Sequence, residues 1–452
     1  MDGTSFRLSP LIMASADLHA LIAATRFGLG PRAGELQELR SDPRGALLRQ
    51  LNATPSPLPA DLPPSATMVA MMLEARRDKE EKPALQEHIK TLYRAEITAR
   101  TKVAVMSEAP FLERLTRFWS NHFTVSGRRP LVRGMTAAFE REAIRPHITG
   151  RFSDLLLAVA RHPAMLLYLD NAVSVGPQSR AGRLRNKGLN ENFARETLEL
   201  HTLGVDGGYT QADVEALARI LTGWSIARLT DPDPGTFRFH PEIHEPGAKI
   251  LLGKNYDEAG IEEGETALRA LAAHPATARH IAGKLARHFI ADDPPADAVA
   301  HLAAVFEAKG GDLPALMSDL VRQEWAWRKP FTKLRTPEEL VVAACRATGI
   351  MPETEALLGG LRFLDQPCFF APSPAGWPDV AAGWVSPEAV LRRAQWCESY
   401  AERLPDPPDP TLLAKEALGP ALPPATAASL AASPDRRMGL ALLLASPEFQ
   451  RR

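Results

Sequence analysis

The chain has 452 residues, a formal net charge of −1, 45% hydrophobic residues and three cysteines. This length can bury a large core, and the near-neutral charge gives no global electrostatic reason to bind nucleic acid or an anionic membrane. The cysteines, at positions 345, 368 and 397, are too few and too scattered for a zinc module or a disulfide framework.

The N-terminal stretch up to Pro31 has neither the basic beginning nor the uninterrupted apolar segment of a signal peptide. Nowhere does the sequence contain a run of about 18 apolar residues, so we expect no membrane span. Together with the low cysteine count, these features predict a cytoplasmic protein.

Helical spacing of apolar residues dominates the first half of the chain. In the segment 111–123, Phe111, Leu115, Phe118 and His122 fall on one helical face. His122 ends that face beside Asn121, and two interpretations of it stay open. It is either a buried base or ligand, with Asn121 as a catalytic neighbour, or a core histidine hydrogen-bonded to a backbone carbonyl.

The stretch 188–226 carries the densest signal, and its periodicity predicts a helical hairpin. A helix over 189–202 is followed by a glycine turn, and Thr210 caps a second helix with Asp213 three residues later. In the second helix an apolar face ends at Trp224.

The first helix of this hairpin concentrates polar side chains at helical spacing. Glu196 and Glu199 are candidate catalytic carboxylates. The candidate ligand-binding residues are Asn190, Asn192, Arg195 and Trp224. The alternative is a helix N-terminus rich in Asn and Glu because the macrodipole favours them, followed by a solvated face.

Residues 236–253 give the only confident β signal, and we expect a small hairpin between the runs 236–240 and 248–252. The intervening segment contains two histidines, His240 and His244, and two glutamates. These residue types suggest a divalent metal, although Pro241 and Pro246 argue against the helix that an H-x-x-x-H pair needs.

The rest of the chain again has helical periodicity. A long irregular loop over 363–384 contains Trp377 and Trp384, which either wall a ligand pocket or pack on the helices. We therefore expect a mainly α fold, a large multi-helix body with a small β-hairpin insertion. Residues 1–404 would form one large helical domain, and C-terminal helices over 411–452 would pack on the same body.

The stretch 188–226 also closely resembles the bacterial domain-of-unknown-function 1800 family, in its NENFARETLEL, TLGVDGGYTQADV and LTGW segments. Matching segments occur through nearly the whole chain, including FWSNHF at 118–123, HPAMLLYLDN at 162–171 and HPATARHIAGKLARHF at 274–289. The resemblance implies no established activity. It does imply a partner, because members often occur beside the domain-of-unknown-function 1501 family, and members are often exported.

Two functional hypotheses follow from these patterns. The first is a metal-assisted or acid–base hydrolase in which His122, the two glutamates and the His240–His244 segment meet in one site. The second is a non-catalytic helical adaptor or assembly partner whose polar clusters are buried structural networks. The sequence contains no nucleophile elbow, P-loop or dinucleotide fingerprint, which disfavours those enzyme classes.

Overall fold

The structure is a computed structural model that describes residues 15–59, 61–185 and 188–452. The first nine helices are α1 Ser15–Ile22, α2 Glu35–Leu39, α3 Pro43–Leu51, α4 Ser65–Arg77, α5 Lys82–Met106, α6 Pro110–His122, α7 Thr136–Phe139, α8 Phe152–Arg161 and α9 Pro163–Tyr168. The next seven are α10 Arg180–Arg185, α11 Asn192–Glu196, α12 Gln211–Ile220, α13 Ile261–Ala272, α14 Pro275–Phe289, α15 Ala296–Ala308 and α16 Leu313–Arg322.

The C-terminal part adds α17 Pro337–Thr348, α18 Thr354–Phe363, α19 Pro387–Arg403, α20 Pro410–Leu418, α21 Pro424–Ala431 and α22 Arg436–Ala445. Three π turns continue helices at Ala23–Phe27, Glu140–Ile144 and Thr197–His201. Short 3-10 turns occur at Lys79–Glu81, Pro130–Val132, Arg145–His147, Asn171–Val173, Pro241–Ile243, Glu324–Trp327, Ala381–Gly383 and Gly419–Ala421. The predicted mainly α fold is confirmed.

Local sequence signals set several helix starts. Thr210 and Asp213 form the predicted capping box of α12, with each side chain bonded to the backbone of the other residue. Pro337 opens α17 behind a second capping box between Thr336 and Glu339. Proline suits the first position of a helix because it has no backbone N–H, and an N–H at that position would have no partner within the helix.

The β structure is small, as expected, but its strands pair differently from the prediction. Strand β1, Trp224–Ile226, pairs antiparallel with β2, Phe237–Phe239, and β3, Lys249–Leu251, pairs with β4, Lys254–Tyr256. The two predicted runs therefore belong to different sheets. A tight turn at Leu252–Gly253, where both residues have positive φ, lets β3 pair with its immediate neighbour instead.

Apolar burial forms two clusters. The larger contains side chains from α1 through the Glu324–Trp327 turn, and includes the aromatic group Phe27, Phe111, Phe289 and Trp327. The second joins α5 to α17–α22 around Cys345, Cys397 and Leu440. All three cysteines are buried free thiols. Within the described residues no helix is long and apolar enough to cross a bilayer.

Candidate functional site

A cavity of about 580 Å³ opens between α6, α14 and the irregular segment 366–380. Helix α6 contributes Asn121 and His122 to its wall, and the irregular segment contributes Trp377. Of the two tryptophans in the irregular loop, Trp377 lines this cavity and Trp384 does not. The cavity brings α6 against two segments that follow it by more than 150 residues along the chain.

Helix α14 presents three basic side chains along one stripe, since His280, Lys284 and His288 are spaced four residues apart. Lys284 and His288 line the cavity. Among the described residues Lys284 makes no hydrogen bond or ion pair. Burial lowers the pKa of Lys284 to about 8, with Asp379 opposing and Arg287 reinforcing the shift. About a tenth of this amine is therefore uncharged at pH 7, and the rest carries a positive charge.

His288 lies between a carboxylate and a guanidinium group. Its Nδ1 lies 2.8 Å from Oδ2 of Asp379, and its Nε2 lies 3.4 Å from Nη1 of Arg114. Because a guanidinium can only donate, this arrangement places the imidazole proton on Nδ1. Burial lowers the pKa of His288 to about 4, so the ring is neutral. It links Asp379 and Arg114 through its two ring nitrogens.

Asp379 is the anchor of this group. Burial opposes its ionisation, but His288, Lys333 and Arg452 outweigh that cost and hold the pKa of Asp379 well below its usual range. Lys333 Nζ lies 3.4 Å from the Asp379 carboxylate and also donates to the Asp379 carbonyl at 2.6 Å. The carboxylate is thereby held at the cavity wall in its charged form.

Asn121 holds the segment that carries Asp379. Its Oδ1 accepts from the backbone N–H of Trp377 at 2.8 Å, and its Nδ2 donates to the carbonyl of the same residue at 3.0 Å. Both ends of the amide are therefore occupied. The predicted catalytic Asn121 is at the site, but it positions the loop.

His122 caps a helix end. Its Nε2 lies 3.2 Å from the carbonyl of His201, while His280 Nε2 lies 3.1 Å from the carbonyl of Leu200. These carbonyls lie in the last turn after α11, where helical partners run out. The alternative of a core histidine bonded to a backbone carbonyl is thus what His122 shows. Its Nδ1 has no hydrogen-bond partner among the residues that the structure describes.

The same three histidines form a neutral cluster. The rings of His201 and His280 lie 6.3 and 6.1 Å from that of His122. Burial, followed by the nearby Lys284, lowers the pKa of His201 to about 3 and that of His280 to about 4. Burial also holds the pKa of His122 well below its usual range.

The predicted carboxylates of α11 and its π turn stay outside the cavity lining. Glu196 and Glu199 are partly exposed, and burial together with Glu199 raises the pKa of Glu196. The structure does not bring this pair to His122, because His122 meets the opposite, buried side of the segment through His201.

The remaining candidates of that segment organise its start. The side chain of Asn190 accepts from the backbone of Asn192 at 2.9 Å, and Arg195 bridges Glu191 and Gln211. Partners of this kind stabilise the first turn of α11. None of the predicted ligand-binding residues Asn190, Asn192 and Arg195 lines the cavity.

The histidines of the β segment have their own surroundings. His240 Nε2 lies 3.1 Å from the Ile226 carbonyl. His244 lies between the Thr222 carbonyl and Glu263, whose carboxylate also accepts from Lys249 at 3.0 Å. Within residues 15–59, 61–185 and 188–452, no group of three or more His, Cys, Asp or Glu side chains is arranged to hold a metal ion.

Trp224 is fully buried at the start of β1. Its ring packs edge-on against Phe237, and Arg161 lies over it at 5.8 Å. The tryptophan is a packing residue of the β segment and is absent from the cavity lining.

Sequence reasoning missed Lys284, His288 and Asp379. One signal could have found the first two, because the spacing of His280, Lys284 and His288 places three basic groups on one face of a helix. Asp379 had no comparable signal, since it lies in an irregular loop and meets α14 only in the folded chain.

Comparison with known proteins agrees with the resemblance seen in the sequence. The family model described as "Protein of unknown function (DUF1800)" matches residues 22–451. No curated protein and no solved structure matches the chain. Since the match spans α14, the tryptophan loop and α6 together, the whole cavity wall lies inside the family region. The chain belongs to the DUF1800 family of proteins of unknown function.

Proposed function

We propose that this protein is an acid–base hydrolase whose site is the cavity between α6 and α14, with Lys284 as the base that activates water. The single observation that carries the proposal is the position of Lys284. Lys284 lines the cavity and its amine has no hydrogen-bond or ion-pair partner among the described residues, whereas the neighbouring carboxylates are paired with cations.

The amine has the properties that a general base requires. Lowering its pKa to about 8 brings the titration close to neutral pH, where proton transfer is most effective. Lys284 in its neutral form takes a proton from water, and the hydroxide forms a C–O bond at an acyl carbon. The bond to the leaving group breaks, and the leaving group receives the proton from the Lys284 ammonium.

The other side chains of the site position this chemistry. His288 and Asp379 form a fixed pair beside Lys284 on α14, and Asn121 holds the loop that carries Asp379. The Nδ1 of His122 has no partner in the described structure, and its lone pair is free to accept a hydrogen bond. Rigid neighbours of this kind support precise placement of water and substrate.

Hydrolysis of 4-nitrophenyl acetate and of mono-4-nitrophenyl succinate tests the proposal. Lys284→Met should lower the rate by about 10²–10⁴-fold, the usual contribution of a general base. Lys309→Met is the matched control, because Lys309 is exposed at the end of α15 and should leave the rate unchanged. Equal rates for the wild type and Lys284→Met would refute the assignment.

Trace acetylation between pH 6 and 11, read by mass spectrometry of the Lys284 peptide, examines the amine directly. Lys284 should reach half-maximal labelling near pH 8, whereas exposed lysines should do so near about 10.4. A Lys284 midpoint equal to that of the exposed lysines would contradict its role as a base.

Other expectations from the sequence remain predictions. Elemental analysis of the purified protein tests a metal at His240 and His244, and fractionation of cells tests cytoplasmic residence. Co-expression with a domain-of-unknown-function 1501 protein tests the adaptor hypothesis. A stoichiometric complex, together with equal hydrolysis rates for the wild type and Lys284→Met, would favour the adaptor over the hydrolase.

A further inference from the structure

We propose that the cavity holds an anion-binding subsite centred on Arg287, with Lys284 at its edge, that takes a carboxylate or phosphate group of the substrate. This inference rests on the proposed function, because it identifies the chemical class of the substrate that the proposed hydrolase would take. The binding of a small anion can be measured without any catalytic step.

The charges of the cavity wall are unevenly compensated. Four carboxylates line the wall, and each already has a cationic partner. Glu338 pairs with Arg100 and Arg117, Glu339 with Arg114 and Arg452, Asp292 with Lys333, and Asp379 with Lys333 and Arg452. None of these partners is Lys284 or Arg287.

Two cationic side chains of the same wall have no acidic partner in the described structure. In the part of the chain that the structure describes, neither Lys284 nor Arg287 has a carboxylate within ion-pair distance. Arg287 uses only its Nε, which donates to the Asp292 carbonyl at 3.3 Å, so its two terminal nitrogens are free. The wall therefore presents uncompensated positive charge to the cavity.

The two free cations lie close together. Lys284 and Arg287 are three residues apart on α14, a spacing that puts side chains on neighbouring parts of one helix face. A guanidinium with two free terminal nitrogens matches the paired oxygens of carboxylate and phosphate groups. Arg287 is exposed on α14 while lining the cavity, so an anion can reach its terminal nitrogens from solvent.

A third donor lies on the opposite wall. Arg117 of α6 is about nine-tenths buried and lines the cavity, and its Nη2 has no hydrogen-bond partner in the described structure. An unused buried donor is costly unless a ligand or water satisfies it. This observation is independent of the α14 charges and adds an unpaired donor to the lining of the same cavity.

Calorimetric titration of the full chain with inorganic phosphate and, separately, with succinate tests the subsite at constant ionic strength. We expect binding of one anion per chain, weakened about tenfold or more in Arg287→Gln, because a charge-assisted contact is lost. Arg279→Gln is the matched control, since Arg279 is exposed on the same helix and lies outside the cavity lining. It should bind as the wild type does.

The two anions distinguish the two chemistries. Tighter binding of phosphate assigns a phosphate-bearing substrate, and tighter binding of succinate assigns a carboxylate. If neither anion binds, or if Arg287→Gln binds as tightly as Arg279→Gln, the subsite does not exist. Thermal unfolding of both variants verifies that the exposed substitutions leave the fold intact.

Failure of this inference is distinguishable from failure of the proposed function. Labelling of Lys284 reports on the amine, whereas calorimetry of Arg287→Gln reports on the anion. The bound anion should also move the Lys284 labelling midpoint to higher pH, because a nearby negative charge favours the ammonium. An unshifted midpoint in saturating anion would place the anion away from Lys284 and overturn the subsite as described.

Discussion

Asn121 bonds both backbone groups of Trp377, accepting from its N–H at 2.8 Å and donating to its carbonyl at 3.0 Å. The two residues are 256 positions apart. Asp379 follows two residues later and reaches His288 at 2.8 Å. A side-chain amide on α6 therefore helps to hold the segment whose carboxylate meets α14.

Replacing Asn121 with alanine should destabilise the protein by about 1–3 kcal/mol, because the variant leaves two partly buried backbone groups of Trp377 unsatisfied. Urea unfolding measures the change. Asn255→Ala is the comparison, since Asn255 is an exposed amide of β4 with one exposed partner and should cost little. Equal losses of unfolding free energy in the two variants would show that the hydrogen bonds between Asn121 and Trp377 contribute no stability.

Gly376 should not tolerate a side chain. Its φ is +84°, and an added Cβ would lie 2.5 Å from the Asn121 carbonyl oxygen, a backbone atom that cannot yield cheaply. Gly349 also has positive φ, but its Cβ would meet nothing within 4 Å. Gly349→Ala should thus cost about 1 kcal/mol for the left-handed backbone alone.

The difference between the two alanine variants isolates the steric clash. Gly376→Ala should be a further 1–3 kcal/mol or so less stable than Gly349→Ala, which is the usual range for overpacking. Chemical denaturation of both proteins gives this difference. Similar midpoints would mean that the tryptophan loop moves freely away from α6.

Glu339 joins two buried cations at the base of the cavity. Burial opposes its ionisation, but Arg452 and Arg114 outweigh it and hold the pKa of Glu339 well below its usual range. Glu339→Gln would leave two buried guanidinium groups short of charge, so we expect a loss of about 3–5 kcal/mol. Glu388→Gln breaks an exposed pair with Arg392 and should cost at most about 0.5 kcal/mol.

Thermal and urea unfolding compare the two glutamine variants. If both variants lose the same small amount of unfolding free energy, the Arg114–Glu339–Arg452 group does not stabilise the fold. Arg452→Gln should reproduce a large part of the Glu339→Gln effect, because it removes one of the two guanidinium groups paired with Glu339.

The neutral histidine cluster predicts a loss of stability on acidification. His280, with a pKa of about 4 in the folded state, binds a proton less readily than it does in the unfolded chain, where the value is about 6.5. The unfolded state therefore gains protons first as the pH falls from about 6.5 to 4, and the free energy of unfolding decreases across that window. Above about 6.5 the contribution is fully present.

His280→Gln isolates one member of the cluster, because the glutamine amide can replace the Nε2 donor that reaches the Leu200 carbonyl. The dependence of the unfolding free energy on pH between 4 and 6.5 should become shallower, by up to about 1.4 kcal/mol per pH unit. His88→Gln, at an exposed position of α5, should leave the slope unchanged. An unaltered slope in His280→Gln would mean that this imidazole titrates alike in both states.

Much of the local structure follows from sequence because it depends on near neighbours. The capping box of Thr210, the proline start of α17 and the helical nature of 111–123 each need only residues within one or two turns. The pairing of β3 with β4 escaped prediction, because the competing partners were equally plausible strands and a two-residue turn decided between them.

By itself the sequence determined the mainly α fold and the family, since helical periodicity and long motifs are properties of contiguous segments. Only the tertiary structure decided which polar residues share a cavity. His122 and Asn121 reached it, Glu196 and Glu199 did not, and Lys284 joined them through a helix that begins more than 150 residues after α6. The physical reason is that a side chain's electrostatic surroundings depend on whichever remote segments burial brings against it, and periodicity along one helix carries no information about them.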